Sequence, residues 1–582
     1  MANLVSPGYK RSTLVNEILV PAAERIITFK GLNRNTVIEE GEMSDMWNLT
    51  ADNYPVLMPR KPRGEMELPN TVLRPLRIIK RFSKIGFIAL DTDSNVSFYY
   101  DGEKISEVTG LSVESKAVAI NNKMCFFPQN TCIDITKDGV QPGTYKSLEA
   151  NVTLSGASVT ISTEDARVTL PSNHKLKADD AIAIHITQYT PSGGSATATS
   201  FDISCAVDDV VNTNTLVLPA ETFIEMTGAG VSSLTITGTI KRTVPSLNFI
   251  VEWNNRLWGC SNADNTIYAC KLGDPTNWQY YQGTSMDSYY AEQGTDEMFT
   301  GIAEYSGHLI FFKPNSMTRV YGTAPSNYQI TNAKAYGVED GSSSSILTIN
   351  DTVFYKSAIG IMAYQGGIPY CISEKLNRRF KNVVAGTEGT KYYASCVIEN
   401  GESYEGRTIV FDIEKGMWHK EDDLRFTQSC KIGDQIYCVT ASAEILVCDT
   451  DVICNRSLMV STDIVEGDAI IINPEEPTEA YEDIEWMAQF GPFDEYIEEH
   501  KIYSKLAMRI KANGDASARV FISINEGPWE QVEYYPHVST KGDFIPIIPR
   551  RCDRYSVKIE GKGNMEVKSL TRRVRQGTFG RL

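Results

Sequence analysis

The sequence predicts an all-β chain: a roughly seven-bladed β-propeller with an inserted small β-domain and a C-terminal β-sandwich-like domain. Three observations lead there. An apolar strand, a two-residue polar turn and a second apolar or aromatic strand recur along the chain, with turn pairs Asn121-Asn122, Asn254-Asn255, Ser306-Gly307, Asn350-Asp351 and Gly433-Asp434. Asn, Asp, Ser and Gly tolerate positive φ or bond their own backbone, so these pairs read as hairpin turns. The units return every ~40–50 residues, the period of a propeller blade. Finally, 28 Tyr and 21 Phe favour pleated, half-buried surfaces over helices.

Taken in order, residues 1–73 carry few strand signals. Pro55, Pro59, Pro62 and Pro69 alternate with Arg60, Lys61 and Arg63, and Arg74 and Arg77 follow just beyond, so this reads as an extended basic arm. The best helical spacing of the chain lies at its start, over residues 14–26, where Leu14, Ile18, Leu19 and Ile26 recur although Pro21 interrupts them. Residues 74–145 hold the first blades, including 86–108 and the unit around Asn121-Asn122. Residues 146–244 change character: they are rich in Thr, Ser, Val and Ala, alternate apolar with polar positions, and read as a small inserted barrel or sandwich. The blades resume over 245–451, with one unit turning at Asn400-Gly401 and at Glu414-Lys415-Gly416. An acidic linker spans 452–504. Residues 505–582 return to strands of five to seven residues with frequent turns, the pattern of a sandwich.

Length and charge narrow the function. A chain of 582 residues exceeds what one core supports, so repeats or several domains are required. The net charge of −17 disfavours general attraction to nucleic acid or anionic membrane. Its distribution is uneven: 475–499 holds ten acids and no Lys or Arg, and 550–582 holds ten basic residues against three acids. These two stretches are complementary, within the chain or between subunits. The assembly-interface candidates are therefore Arg60, Lys61 and Arg63 in the arm, and Arg550, Arg551, Arg572, Arg573 and Arg575 near the end. No 18-residue apolar run and no leader pattern occurs, and the twelve cysteines show no CxxC, so most are expected to be buried, reduced thiols.

Chemistry is sparse. The phosphate-cradling, dinucleotide, hydrolase-elbow and zincin motifs are missing, and none of the six histidines has a His or Cys at ligand spacing, so no catalytic residue, cofactor or metal is expected. Propellers do host glycosidases. Asp287, Glu292, Glu297, Glu339 and Asp340 are the carboxylates to weigh, with loop solvation as the competing explanation. Trp278, Tyr280, Tyr281, Tyr289 and Tyr290 are aromatic candidates for stacking on sugars.

The segments 31–64, 254–282 (NNRLWGCSNADNTIYACKLGDPTNWQYYQ) and 308–322 (HLIFFKPNSMTRVYG) resemble structural proteins of tailed phages, and the propeller core is similar to the stabilisation or nozzle proteins of short-tailed phages. That resemblance implies a homo-oligomeric ring, a hexamer, beneath portal and adaptor proteins, lining the DNA exit channel and offering docking surfaces to tail fibre or needle proteins. It implies DNA passage without sequence-specific binding, no membrane, assembly in the host cytoplasm and residence in the virion tail. A receptor- or carbohydrate-binding distal tail propeller and a glycan hydrolase are the alternatives.

Overall fold

The computed structural model describes residues 23–576 except 83, 227–231, 401–402, 449–458, 466–468, 473–483, 495–500, 513–515, 539–540, 546 and 549. The polar pairs turn the chain as their chemistry requires. Two-residue hairpins close at Ile120↔Lys123, Trp253↔Arg256, Tyr305↔His308, Ile349↔Thr352 and Ile432↔Gln435. Asn121, Asn254, Asn255, Ser306, Asn350 and Gly433 all take positive φ in these turns.

Each hairpin belongs to a small antiparallel sheet, and the sheets follow one another over 72–104, 116–147, 249–292, 301–334, 347–371, 380–420 and 426–448. The first strands of successive sheets lie side by side: Val72–Arg81 against Lys116–Ile120, then Phe249–Trp253, Gly301–Tyr305 and Leu347–Ile349. Phe380–Gly386 meets the turn Ser343–Ser345 just ahead of Leu347–Ile349, and packs on Phe426–Ile432. Phe426–Ile432 returns to Val72–Arg81, where the Gln428 side chain accepts from the Ile78 N–H at 2.5 Å and donates to the Ile78 carbonyl at 2.9 Å. Between neighbours sit separate apolar clusters: Ile88, Phe98 and Phe126; Cys125, Leu257 and Trp278; Trp258, Leu309 and Phe311; Phe312, Val353 and Tyr355; Val410, Ile436 and Cys438. Met66, Ile78, Ile85, Tyr437 and Val439 fill the junction between the last sheet and the first. This is a propeller-like succession whose sheets bury both faces, which explains strands that are buried at every position, such as His308–Lys313 and Thr352–Ser357.

Between the second and third sheets, Ala150–Ile161 to Ser233–Arg242 form one seven-stranded antiparallel sheet around its own core of Leu154, Val159, Val168, Ile184 and Ile236. Asn277 ties this insertion to the propeller by accepting from the Ala181 N–H at 2.9 Å, and Lys177 pairs with Asp274 at 2.6 Å.

The C-terminal part is built from two five-stranded sheets. One joins Ala23–Ile26, Met565–Gln576, Lys501–Ala512 and Lys541–Ile545, with Arg550–Cys552 beside them. The other joins Met43–Trp47, Glu485–Phe493, Tyr555–Lys562, Ser517–Ile524 and Glu530–Tyr535. Leu506, Met508, Val567 and Leu570 of the first share a core with Phe490, Val520, Val557 and Ile559 of the second, and this core runs on into Phe354, Tyr392 and Trp418 of the propeller.

The N-terminal arm departs from its expected form. It is extended, but three pieces of it are strands of distant sheets: Ala23–Ile26 pairs with Met565–Gln576, Met43–Trp47 with Glu485–Phe493, and Gly64–Met66 with Ile445–Cys448 as the fourth strand of the last propeller sheet. The helix expected over 14–26 is a strand at Ala23–Ile26, because an open edge of Met565–Gln576 offers those residues backbone partners; 14–22 lie outside the described residues. The described cysteines carry free thiols, most of them buried.

Candidate functional site

The arm crosses the propeller through a cluster of charges, and the turn after Met417–Lys420 presents the complement, Glu421 and Asp422. Arg63 donates to Asp422 at 2.7 Å and also to Glu421; Arg60 donates to Asp422 at 3.0 Å and to the Asn48 side chain at 2.9 Å. All four are largely buried, so the pairing is not a surface effect. Burial works to raise the Asp422 carboxyl, yet Arg63 and Arg60 outweigh it and hold the group well below the usual carboxylate range. Further along the arm, Lys391 pairs with Asp52 at 2.6 Å, and Asp45 accepts from Lys420 at 2.6 Å and Arg34 at 2.7 Å. Glu42 accepts from Lys375 at 2.7 Å.

This clasp encloses a cavity of about 20 Å³ lined by Asp52, Arg60, Arg63, Lys391, His419, Glu421 and Cys448. His419 is 4% exposed, and neither of its ring nitrogens has a hydrogen-bond partner. Burial, helped by the positive charge of Lys391, pushes its pKa down to about 3, so the ring is neutral at ordinary pH.

The structure divides the assembly-interface candidates. Arg60 and Arg63 face inward and are satisfied within the chain, so they are not free to reach a neighbouring subunit; Lys61 lines the same cavity. Arg572 is also internal: its guanidinium lies 3.8 Å from the centre of the Phe493 ring and pairs with Glu40 at 3.3 Å. Met565–Gln576 is a central strand of its sheet, between Ala23–Ile26 and Lys501–Ala512, and Arg572 is buried there. Arg550, Arg551 and Arg573 are exposed, and Arg550 pairs with Glu530 at 2.7 Å. The backbone of Arg575 pairs with Ile502, while its side chain lies outside the described residues. Of the acidic stretch 475–499, only 484–494 is described, so a pairing of that stretch with the basic end lies outside the described residues.

Three of the carboxylates weighed for catalysis make hydrogen bonds or ion pairs within the chain. Asp287 accepts from the Gln282 and Gly283 N–H groups at 2.8 and 2.7 Å and from the Thr284 hydroxyl at 2.6 Å. Burial would raise its pKa, but these donors prevail and lower it, which is the signature of a turn cap. Glu297 bonds Asn315 at 2.7 Å, Glu339 bonds Lys356 at 2.7 Å, and Glu292 and Asp340 are exposed. Among the described residues, no three His, Cys, Asp or Glu side chains are placed to hold a metal. The proposed aromatic platform is also divided. Trp278 is buried with its indole N–H donated to the Pro275 carbonyl, and Tyr280 is covered by Lys271, whose Nζ lies 3.6 Å from the ring centre. Tyr281 and Tyr290 remain exposed and pack edge to face.

No protein-family model and no curated protein matches the chain. Among solved structures, the chain is similar to the phage phi92 endosialidase at 9% identity, covering 89% of this chain and 93% of that one with a TM-score of 0.25. It is similar to PorZ, a surface component of the type-IX secretion system of Porphyromonas gingivalis, at 10% identity over 88% of this chain and 78% of that one, with a TM-score of 0.25. It is also similar to an exo-β-1,3-galactanase of Phanerochaete chrysosporium at 9% identity over 94% and 99%, with a TM-score of 0.22. The chain is nearly all β, built of many small antiparallel sheets.

Proposed function

We propose that this chain is a structural subunit of a bacteriophage tail, a ring-forming nozzle or connector below the portal and adaptor that lines the DNA exit channel. The observation that carries the reading is the clasp. Strands from the first 66 residues complete both sheets of the C-terminal sandwich and the last propeller sheet, and buried ion pairs fix the arm in between. Such a chain resists opening at either end, which suits a part that bears load while a genome passes. Its acidic surface supports sliding of DNA past it without adhesion, the converse of phosphate binding by counterion release. The exposed face that carries Arg550 and Arg551 is the part of the predicted interface that faces solvent, where a neighbouring copy or a fibre or needle protein would dock.

The test is direct. Purified particles carrying a tagged copy of this chain are labelled with gold-conjugated antibody and imaged by electron microscopy, and the isolated chain is weighed by mass photometry. Label at the tail and a ring-sized species, six copies in the nozzle reading, are expected. Label restricted to the soluble fraction of the lysate refutes the proposal.

A further inference from the structure

The five-stranded sheet that contains Met43–Trp47 turns one face into the shared core and the other outward. Ala518, Val520 and Ile522 point in; Ser517, Arg519 and Phe521 alternate out. Register then dictates which outward residues meet. Trp47 pairs with Met487, Met487 with Glu560, Glu560 with Arg519 and Arg519 with Tyr534, so these five form one row across all five strands. The adjacent row runs Gln489, Lys558 and Phe521.

Trp47, Met487, Glu560 and Arg519 of the first row and Gln489 and Lys558 of the second line a groove of about 450 Å³, within the ~300–1,000 Å³ of ordinary ligand sites, with Tyr534 and Phe521 just beyond it. Its sides are amphipathic in a particular way. Trp47 and Tyr534, at opposite ends of one row, are 38% and 44% exposed. Between them the charged groups are held in place: Lys558 donates to Glu560 at 2.6 Å while its Nζ lies 4.6 Å from the centre of the Phe521 ring and 5.1 Å from that of Trp529, and the Arg519 guanidinium lies 5.3 Å from that of Tyr534. On the core side of the same sheet Gly561 pairs with Trp486, and a Cβ there would stand 2.2 Å from the buried ring.

We propose that this groove is a binding site for an oligosaccharide. A pyranose has an apolar C–H face and a rim of hydroxyls, and the groove offers an exposed indole for the first and an interleaved carboxylate, ammonium and amide set for the second. Glu560 and Gln489 accept hydroxyl protons, and Lys558 and Gln489 donate. A nucleic acid fits worse, because Glu485 and Glu560 interrupt the cations Arg519, Lys558 and Lys562 on the same surface, and Lys558 is already paired with Glu560, so no continuous positive strip faces a phosphate backbone. An apolar helix fits worse too, since its binding would strip water from both signs of charge.

The experiment titrates the intact chain with cellohexaose, maltohexaose, chitohexaose and a hexagalacturonate in a calorimeter, after screening on an array of bacterial surface polysaccharides. At least one glycan class is expected to bind. Trp47→Ala should weaken it tenfold or more, Trp47→Tyr should retain most of the affinity, and Glu560→Gln should weaken it severalfold, all with unchanged melting. Tyr281→Ala with Tyr290→Ala, which alters the exposed aromatic pair on the propeller, should leave binding intact. Absence of any glycan binding overturns the proposal. So does binding that survives Trp47→Ala or is lost in the propeller variant.

Discussion

Acidification to pH 5.5 should destabilise this protein through His419, by an amount the structure allows to be worked out. The folded imidazole sits in the clasp with its pKa held down to about 3, whereas an imidazole in the unfolded chain titrates near its ordinary value of about 6.5. As pH falls below that value the unfolded chain takes up a proton that the folded chain refuses, so stability falls with pH. One unit below the unfolded value the cost is RT ln 11, about 1.4 kcal/mol. That figure is insensitive to the folded value, which lies far outside the window. For a cooperative unit of ~150–250 residues it corresponds to a drop in Tm of roughly 3–5 °C. The assay compares the Tm change between pH 7.5 and 5.5 in the native chain and in His419→Gln, by scanning calorimetry at fixed ionic strength. Other groups titrate equally in both, so the native chain should lose more by that margin. Equal pH slopes would refute the neutral, buried imidazole and the clasp geometry derived from it.

Arg63→Met removes a buried guanidinium from Glu421 and one of the two from Asp422, which keeps Arg60, and should cost about 3–5 kcal/mol in urea denaturation, whereas Arg550→Ser, at an exposed pair, should leave the midpoint unchanged. Gln428→Leu removes both bonds to the Ile78 backbone and should cost about 2–4 kcal/mol; hydrogen exchange should rise first in Val72–Arg81 and Phe426–Ile432, and unchanged protection there would count against ring closure at that joint. Asp287→Asn should loosen the 282–288 turn by about 1–2 kcal/mol, read as a lower Tm. A variant that kept its Tm but abolished turnover of a polysaccharide would instead place Asp287 in an active site.

What the sequence disclosed was local. Turn pairs such as Asn254-Asn255 announce themselves because positive φ is available to few residue types, and alternation exposes the strands on either side. Gly64–Met66 is three residues long and carries no pattern of its own; it becomes a strand because Ile445–Cys448 and Met459–Val465 pair with it on either side. The same holds for Ala23–Ile26, whose apolar spacing suited a helix until a sheet edge was present. Arg60 and Arg63 were legible as a basic pair, but their complement lies some 360 residues on and nothing local says that the two meet. Trp278 looked like a surface platform and is core, since only the fold brings the Pro275 carbonyl to its indole. Trp47, one aromatic residue in a polar arm, gave no signal; its row of neighbours exists only through register.

The pairing of Ala23–Ile26 with Met565–Gln576 also sets a timetable for biosynthesis. The first strand leaves the ribosome some 550 residues before its partner, and at ~5–20 residues per second it waits about 30–110 seconds. Met43–Trp47 waits almost as long for Glu485–Phe493. The propeller sheets are made mostly of neighbours in sequence and can form during this interval, but Gly64–Met66 has no place in the last of them until Ile445–Cys448 emerges. For most of its synthesis, then, the chain carries unpaired strand edges at its leading end. Their short lengths, four and five residues, and the Glu, Arg, Ser and Asp within them limit what those edges can capture before the sandwich closes.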